Sequence, residues 1–254
     1  MAEENPTLYD AYLARIGAGM VSLRERIGLS ASRSGRDPSE IGIIAVSKFH
    51  PAEAVEAAMA CGIRRFAESR VKEAEGKFLQ LRLAHPDLHL DLIGHLQGNK
   101  VKRALALFDR VQSIDSLELL ESLVARLRDM REVQVEGGPS IEVLFELHTG
   151  EESKSGFPDS DSVRKACDLV AALPPGSGIE ARGLMTMAPL DAGEAAIRSS
   201  FGRLRTLRES LLAEFAFSRF DVLSMGMSGD FEIAIEEGAT EVRIGTAIFG
   251  ERRS

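Results

Sequence analysis

At 254 residues the chain is long enough for one large α/β domain or two small ones, and its 44% hydrophobic and 28% charged content suits a globular protein with a sizeable core. A net charge of −8 argues against the basic face that nucleic-acid binding demands. Cys61 and Cys167 match no C-x-x-C metal or redox spacing and read as buried, reduced thiols.

The start, MAEENPTLYD, lacks the basic residues and apolar run of a signal peptide, and no segment approaches the length of a membrane span. These features predict a cytoplasmic protein without membrane or nucleic-acid partners. Residues 7–34 predict one amphipathic helix, since Leu8, Tyr12, Ile16, Met20 and Leu23 recur at helical spacing. After the polar turn SGRDPSE comes IGIIAVSKF, residues 41–49. Its near-continuous apolar run suits a strand buried on both faces, as in helix-covered parallel sheets. PAEAVEAAMACG follows as a helix.

The alternation continues with strands expected at 63–68, 88–94, 110–115, 141–148, 179–187, 220–228 and 241–250, each separated from the next by a helical segment. Eight strands in this length predict an α/β fold of the (β/α)8 TIM barrel type. The short loops GGPS (137–140) and LPPGSG (173–178) do not divide the chain. The expected organisation is thus one domain over 1–254, with a helix within 1–36 packed on a barrel formed by 41–250. An open doubly wound sheet would also alternate, but no Gly-rich dinucleotide fingerprint follows the first strand.

Lys48 stands where the first strand meets its helix, at the carboxyl rim where α/β folds keep their sites. A partly desolvated lysine there has a lowered pKa and can form a Schiff base; the alternative is a strand-end lysine reaching to water. The seventh strand runs into Ser224-Met225-Gly226-Met227-Ser228-Gly229 and the eighth into Arg243-Ile244-Gly245-Thr246. Glycines and hydroxyls after strands seven and eight of a barrel fit a phosphate site, or simply tight β-to-α turns. In a closed barrel strand eight neighbours strand one, so the two features together suit a phosphorylated aldehyde. Arg243 shares the side of Gly245, where it faces the same space or pairs with Glu241 or Glu68. Against a pyridine nitrogen it would keep that nitrogen unprotonated. His95, Gln97 and Asn99 line the pocket or cap the next helix, and His148 and Lys154 flank the loop after strand five. Met185 and Met187 read as packing. No metal spacing, Walker or G-x-S-x-G pattern occurs.

The segments AVSK (45–48), IGHLQGNK (93–100), EESKSGF (151–157), RGLMTM (182–187) and SMGMSGDFEIAIEEGATEVRIGTAIFG (224–250) resemble the pyridoxal phosphate homeostasis proteins, single-domain relatives of the alanine racemase N-terminal barrel. The resemblance implies pyridoxal 5′-phosphate (PLP) as cofactor, held as an internal aldimine on Lys48. It implies a phosphate held by Ser224, Gly245 and Thr246, and Arg243 facing the ring nitrogen. The candidate binding set is Lys48, Ser224, Gly226, Met227, Arg243, Gly245 and Thr246, with Ser69, His95 and Met185 at its margin. Two departures stand out. Phe66-Ala67-Glu68-Ser69 replaces the usual F-G-E-N, and His148 stands near the usual asparagine of the fifth strand, before a loop one residue shorter.

The function so implied is buffering and supply of PLP in vitamin B6 homeostasis, with little or no turnover and with apo-PLP enzymes as recipients. A monomer or weak dimer is expected. A racemase is the main alternative, but it needs a second base opposite Lys48, and the chain's two tyrosines, Tyr9 and Tyr12, lie in the first helix. His50, His95 or His148 would have to substitute. A cofactor-free Schiff-base aldolase acting on a sugar phosphate is a third reading.

Overall fold

The computed structural model describes residues 7–132, 138–150 and 155–251. Its strands are β1 (Gly42–Val46), β2 (Arg65–Glu68), β3 (His89–Leu92), β4 (Arg110–Ile114), β5 (Ile141–Glu146), β6 (Ile179–Met185), β7 (Val222–Ser224) and β8 (Glu241–Ile244). All run parallel and close into a barrel in chain order, β8 pairing back on β1 with Ile44 opposite Arg243. The helices are α1 (Leu8–Arg33), α2 (Ala52–Ala60), α3 (Val71–Ala84), α4 (Val101–Leu107), α5 (Leu117–Glu132), α6 (Ser160–Ala171), α7 (Glu194–Glu214), α8 (Phe231–Glu236) and α9 (Thr246–Phe249). The eight expected strands are all present. Those expected at 220–228 and 241–250 stop short: Gly226, at φ +93°, turns the chain off the sheet, and Gly245 already opens α9.

Helix α1 starts at a capping box in which Thr7 accepts from the Asp10 N–H and Asp10 accepts from the Thr7 N–H. Its face of Tyr12, Ile16, Met20, Leu23 and Ile27 is buried against α2, α8 and α9. The main apolar core lies between strands and helices, with Phe66, Val111, Val143 and Phe145 fully buried. Smaller apolar clusters, Ile44–Val46–Ala67 and Leu144–Met185–Val222, fall outside this core. Cys167 is buried in α6, and burial pushes its thiol up to about 12. Cys61 is only half-buried, contrary to the sequence expectation, because it caps the C-terminus of α2 where the chain turns outward.

Toward its floor the barrel interior is charged. Arg110 on β4 donates to both oxygens of Asp91 on β3, at 3.0 and 2.8 Å, and crosses to Glu241 on β8 at 2.7 Å. Arg65 meets Glu241 at 2.6 Å. Burial alone would raise the Asp91 carboxyl, but Arg110 and His89 hold it well below the usual carboxylate range. Burial likewise opposes the charge on Arg110, yet Asp91 and Glu241 raise its pKa. Each charge is tolerable only because its partners are in place.

Removing one partner of such a cluster costs about 3–5 kcal/mol, the loss expected of Asp91→Asn at neutral pH. A carboxyl with a depressed folded-state pKa contributes stability above its unfolded value, near ~3.9, and loses it as pH falls through the folded value. Urea unfolding from neutral to acid pH should therefore show the gap between wild type and Asp91→Asn closing below about pH 4. A gap independent of pH would contradict this.

Candidate functional site

Lys48 lies in the tight turn Ser47–His50 directly after β1. The Ser47 N–H bonds to the Ala67 carbonyl, and the His50 N–H closes the turn on the Ser47 carbonyl at 3.0 Å. Phe49 takes the left-handed conformation, φ 67°, a costly state for a bulky residue, which the surroundings must enforce. They do so through Lys77 on α3. Its ammonium donates to the carbonyls of Ser47 and His50 at 2.8 and 3.0 Å, and sits 2.7 and 2.9 Å from Glu68 and Glu73. Glu73 in turn accepts the Phe49 N–H, and Glu68 accepts the Ser47 hydroxyl. Behind the turn, His50 stacks on Phe249 at 5.0 Å and meets the Tyr12 hydroxyl at 3.2 Å, tying it to α9 and α1. Burial pushes the Glu68 carboxyl up, opposed by Lys77.

The turn opens on a cavity of about 240 Å³ at the C-terminal mouth of the barrel. Lys48, Val46 and Ser69 line one part, Met185, Met187 and Ile93 another, and Met227, Ser228, Gly229, Arg243, Gly245 and Thr246 the rest. Of the sequence-derived set, the cavity thus unites Lys48, Ser69, Met185, Met227, Arg243, Gly245 and Thr246. Ser224 and Gly226 are buried and do not line it. His95 is exposed and bonds to Asp115 at 2.8 Å, outside the lining. Lys154 and Glu151, from the loop after β5, lie outside the described residues. Val46, Ile93 and Met187 are apolar additions to that set, and Ser228 and Gly229 are the ones beside the expected phosphate residues. Their signal was present in the Gly-rich run after β7, but the sequence did not separate which of its members face the cavity.

The backbone around that run is specific. A Cβ on Gly226 would come within 2.6 Å of the Ala234 side chain and 2.9 Å of the Phe231 Cα, at a φ that side chains avoid. Met227 N–H donates to Asp230, and Ala247 N–H donates to the Ser228 hydroxyl at 3.3 Å. Among the described residues, no hydrogen bond takes up the backbone N–H of Ser228, Gly229 or Thr246. These are donors an anion requires, and they stand on the same wall as Arg243.

Arg243 makes neither of the ion pairs considered from sequence, because Glu241 faces the barrel floor with Arg110 and Arg65, and Glu68 is bound to Lys77. Its guanidinium donates instead to the Ser224 carbonyl and hydroxyl, both at 2.7 Å, and to the Thr186 carbonyl at 2.8 Å. Burial pushes its pKa down, while Glu146, Asp230, Glu241 and Asp91 pull it back; a guanidinium stays protonated under such opposition. Burial also raises the carboxyls of Glu146 and Asp230. Among the described residues no group of three or more His, Cys, Asp or Glu side chains could hold a metal ion.

A primary amine, unclaimed anion donors and a fixed cation around one small cavity form a donor set that fits a phosphorylated aldehyde with a ring nitrogen. Residues 23–253 match the family described as alanine racemase, N-terminal domain. The pyridoxal phosphate homeostasis protein of Pseudomonas aeruginosa is 39% identical over 241 residues, covering 94% of this chain and 97% of that protein. The chain belongs to this family. Among solved structures, PipY of Synechococcus elongatus with PLP bound superposes with a TM-score of 0.77 at 33% identity, covering 92% of this chain and 100% of that one. The crystal structure of a protein from Bifidobacterium adolescentis superposes with a TM-score of 0.86 at 32% identity, covering 96% of this chain and 98% of that one. The family match, from residue 23 onward, covers the whole barrel and the second half of α1.

If Lys77 holds the Lys48 turn through its pairing with Glu68, Lys77→Met should lose about 3–5 kcal/mol by leaving a buried carboxylate unpaired. Adding Glu68→Gln should restore part of the loss in thermal unfolding. A double variant as unstable as the sum of the singles would contradict the pairing.

Proposed function

We propose that this protein binds pyridoxal 5′-phosphate at the barrel mouth, holds it through Lys48, and serves vitamin B6 homeostasis by buffering and supplying it, with little or no turnover of its own. The observation that carries this reading is the single cavity where the Lys48 turn, the unclaimed N–H groups of Ser228, Gly229 and Thr246, and Arg243 meet. When bound, the cofactor supplies an aldehyde that condenses with primary amines and a ring able to delocalise negative charge.

The chain's own residues divide the work. Lys77 and the strained Phe49 hold the Lys48 turn, so the amine enters from the β1 side. The backbone donors after β7 and β8, with the Thr246 hydroxyl, line the cavity and would bind the phosphate. Gly245 belongs to the same wall. Met185, Ile93 and Val46 exclude water from the ring. Arg243, a permanent cation, would face the ring nitrogen; it would donate a hydrogen bond but yield no proton, leaving the ring a weak electron sink. That restrains carbanion chemistry.

Racemisation needs a second base opposite the lysine. Tyr12 is buried on α1 with its hydroxyl on His50, and His95 is exposed and paired with Asp115. Among the described residues, no tyrosine or histidine lines the cavity. A site that binds the cofactor without a second base suits release to apo-PLP enzymes better than turnover of amino acids.

Titration with PLP should produce a visible band that Lys48→Ala lacks, and incubating the loaded protein with L-alanine should leave the D-isomer at background. Rapid appearance of D-alanine, lost in Lys48→Ala, would overturn the carrier reading in favour of a racemase. A protein that stays colourless with added PLP would overturn the cofactor assignment.

A further inference from the structure

Beneath Arg243, and away from the cavity wall, lies a file of polar side chains to which the site gives no role. The Ser224 hydroxyl donates to the Gln112 Oε1 at 2.7 Å, and the Gln112 amide nitrogen donates to the Asp91 Oδ2 at 2.8 Å. Ser224, Gln112 and Asp91 are each fully buried. Their proton directions follow from elementary chemistry. Asp91 is ionised beside Arg110 and only accepts, so Gln112 must turn its nitrogen toward it and its oxygen toward Ser224. That oxygen carries no proton, so the Ser224 hydroxyl must spend its own there. The Ser224 oxygen is then left as an acceptor, and Arg243 donates to it at 2.7 Å.

We infer that Gln112 is the positioning residue of Arg243: through Ser224 it fixes the direction of a one-way hydrogen-bond file, Arg243 to Ser224 to Gln112 to Asp91, which aims the guanidinium and ends on a carboxylate, already bound to Arg110, two side chains away. The link to cofactor affinity rests on the proposed PLP binding; the file itself does not. The separation has a chemical consequence. A carboxylate placed directly on Arg243 would take up its donors and damp its field at the cavity. A neutral amide passes on the orientation without the charge. Among the described residues, Arg243 donates to two backbone carbonyls and one hydroxyl, all neutral. Without Gln112 the Ser224 hydroxyl is free to rotate its proton toward Arg243, turning an acceptor into a competing donor.

The test uses Gln112→Met, which keeps the side chain's length and removes both of its hydrogen bonds, with Ser224→Ala cutting the file one step higher should the first variant not fold. In protein without added PLP, ¹⁵N spectra should show slowly exchanging Arg243 guanidinium protons in wild type and faster exchange in Gln112→Met. With PLP, each variant should weaken binding about tenfold, the scale of one charge-assisted hydrogen bond, and shift the visible band. In an Arg243→Gln background, Gln112→Met should change the Kd by less than about twofold. Unchanged Arg243 exchange, or an effect on Kd that persists in full without Arg243, would overturn the inference and reduce Gln112 to a packing residue. Failure of the wild type to bind PLP would instead count against the cofactor reading, and the Arg243 exchange rates would still decide the file.

Discussion

Hydrogen bonding between β8 and β1, with Ile44 opposite Arg243 and Ala45 opposite Ile244, brings the two ends of the barrel sequence into one wall. Without that closure Lys48 and the Gly245–Thr246 turn would lie on opposite edges of an open sheet. With it, the Lys48 side chain and the Gly245–Thr246 turn border the same cavity. The closure is set by the hydrophobic strands and by α1, which packs across α2, α8 and α9 where the first and last units meet. Helix α1 therefore braces the seam on which the site depends.

Inside the barrel, charge replaces hydrocarbon at the floor and becomes neutral polarity toward the mouth. Asp91, Arg110, Arg65 and Glu241 form a compensated cluster, above which Gln112 and Ser224 carry hydrogen bonds upward to Arg243. Such a cluster adds little net stability over a well-packed apolar core, but it holds its members in one geometry, since any displaced member is left buried and unpaired. At the mouth Arg243 thus rests on a rigid polar column and Lys48 on the separate clamp of Lys77.

Much of this was legible in the sequence, for identifiable reasons. Apolar runs such as IGIIAV and the regular helix spacing reveal a parallel barrel because strands buried on both faces have no polar face to show. Lys48, Arg243, Gly245 and Thr246 stand at strand ends, where position along the chain already implies position at the rim. Ser224 and Gly226 share the same run, yet they are buried below the cavity while Ser228 and Gly229 line it. A period-2 reading cannot settle this, because Gly226 takes the chain out of strand geometry. Gln112 and Lys77 left no local trace. Their partners are brought near only by closure of the barrel and packing of α3, so a buried glutamine inside a strand reads as an exception to the pattern rather than as a link.

The most direct test of the central claim is borohydride reduction of the PLP-loaded protein followed by peptide mass mapping. The expected result is a pyridoxyl group on the peptide carrying Lys48, and none there when the protein is reduced without PLP. Modification confined to other lysines, with the Lys48 peptide unmodified at saturating cofactor, would contradict the assignment of the barrel mouth as the binding site.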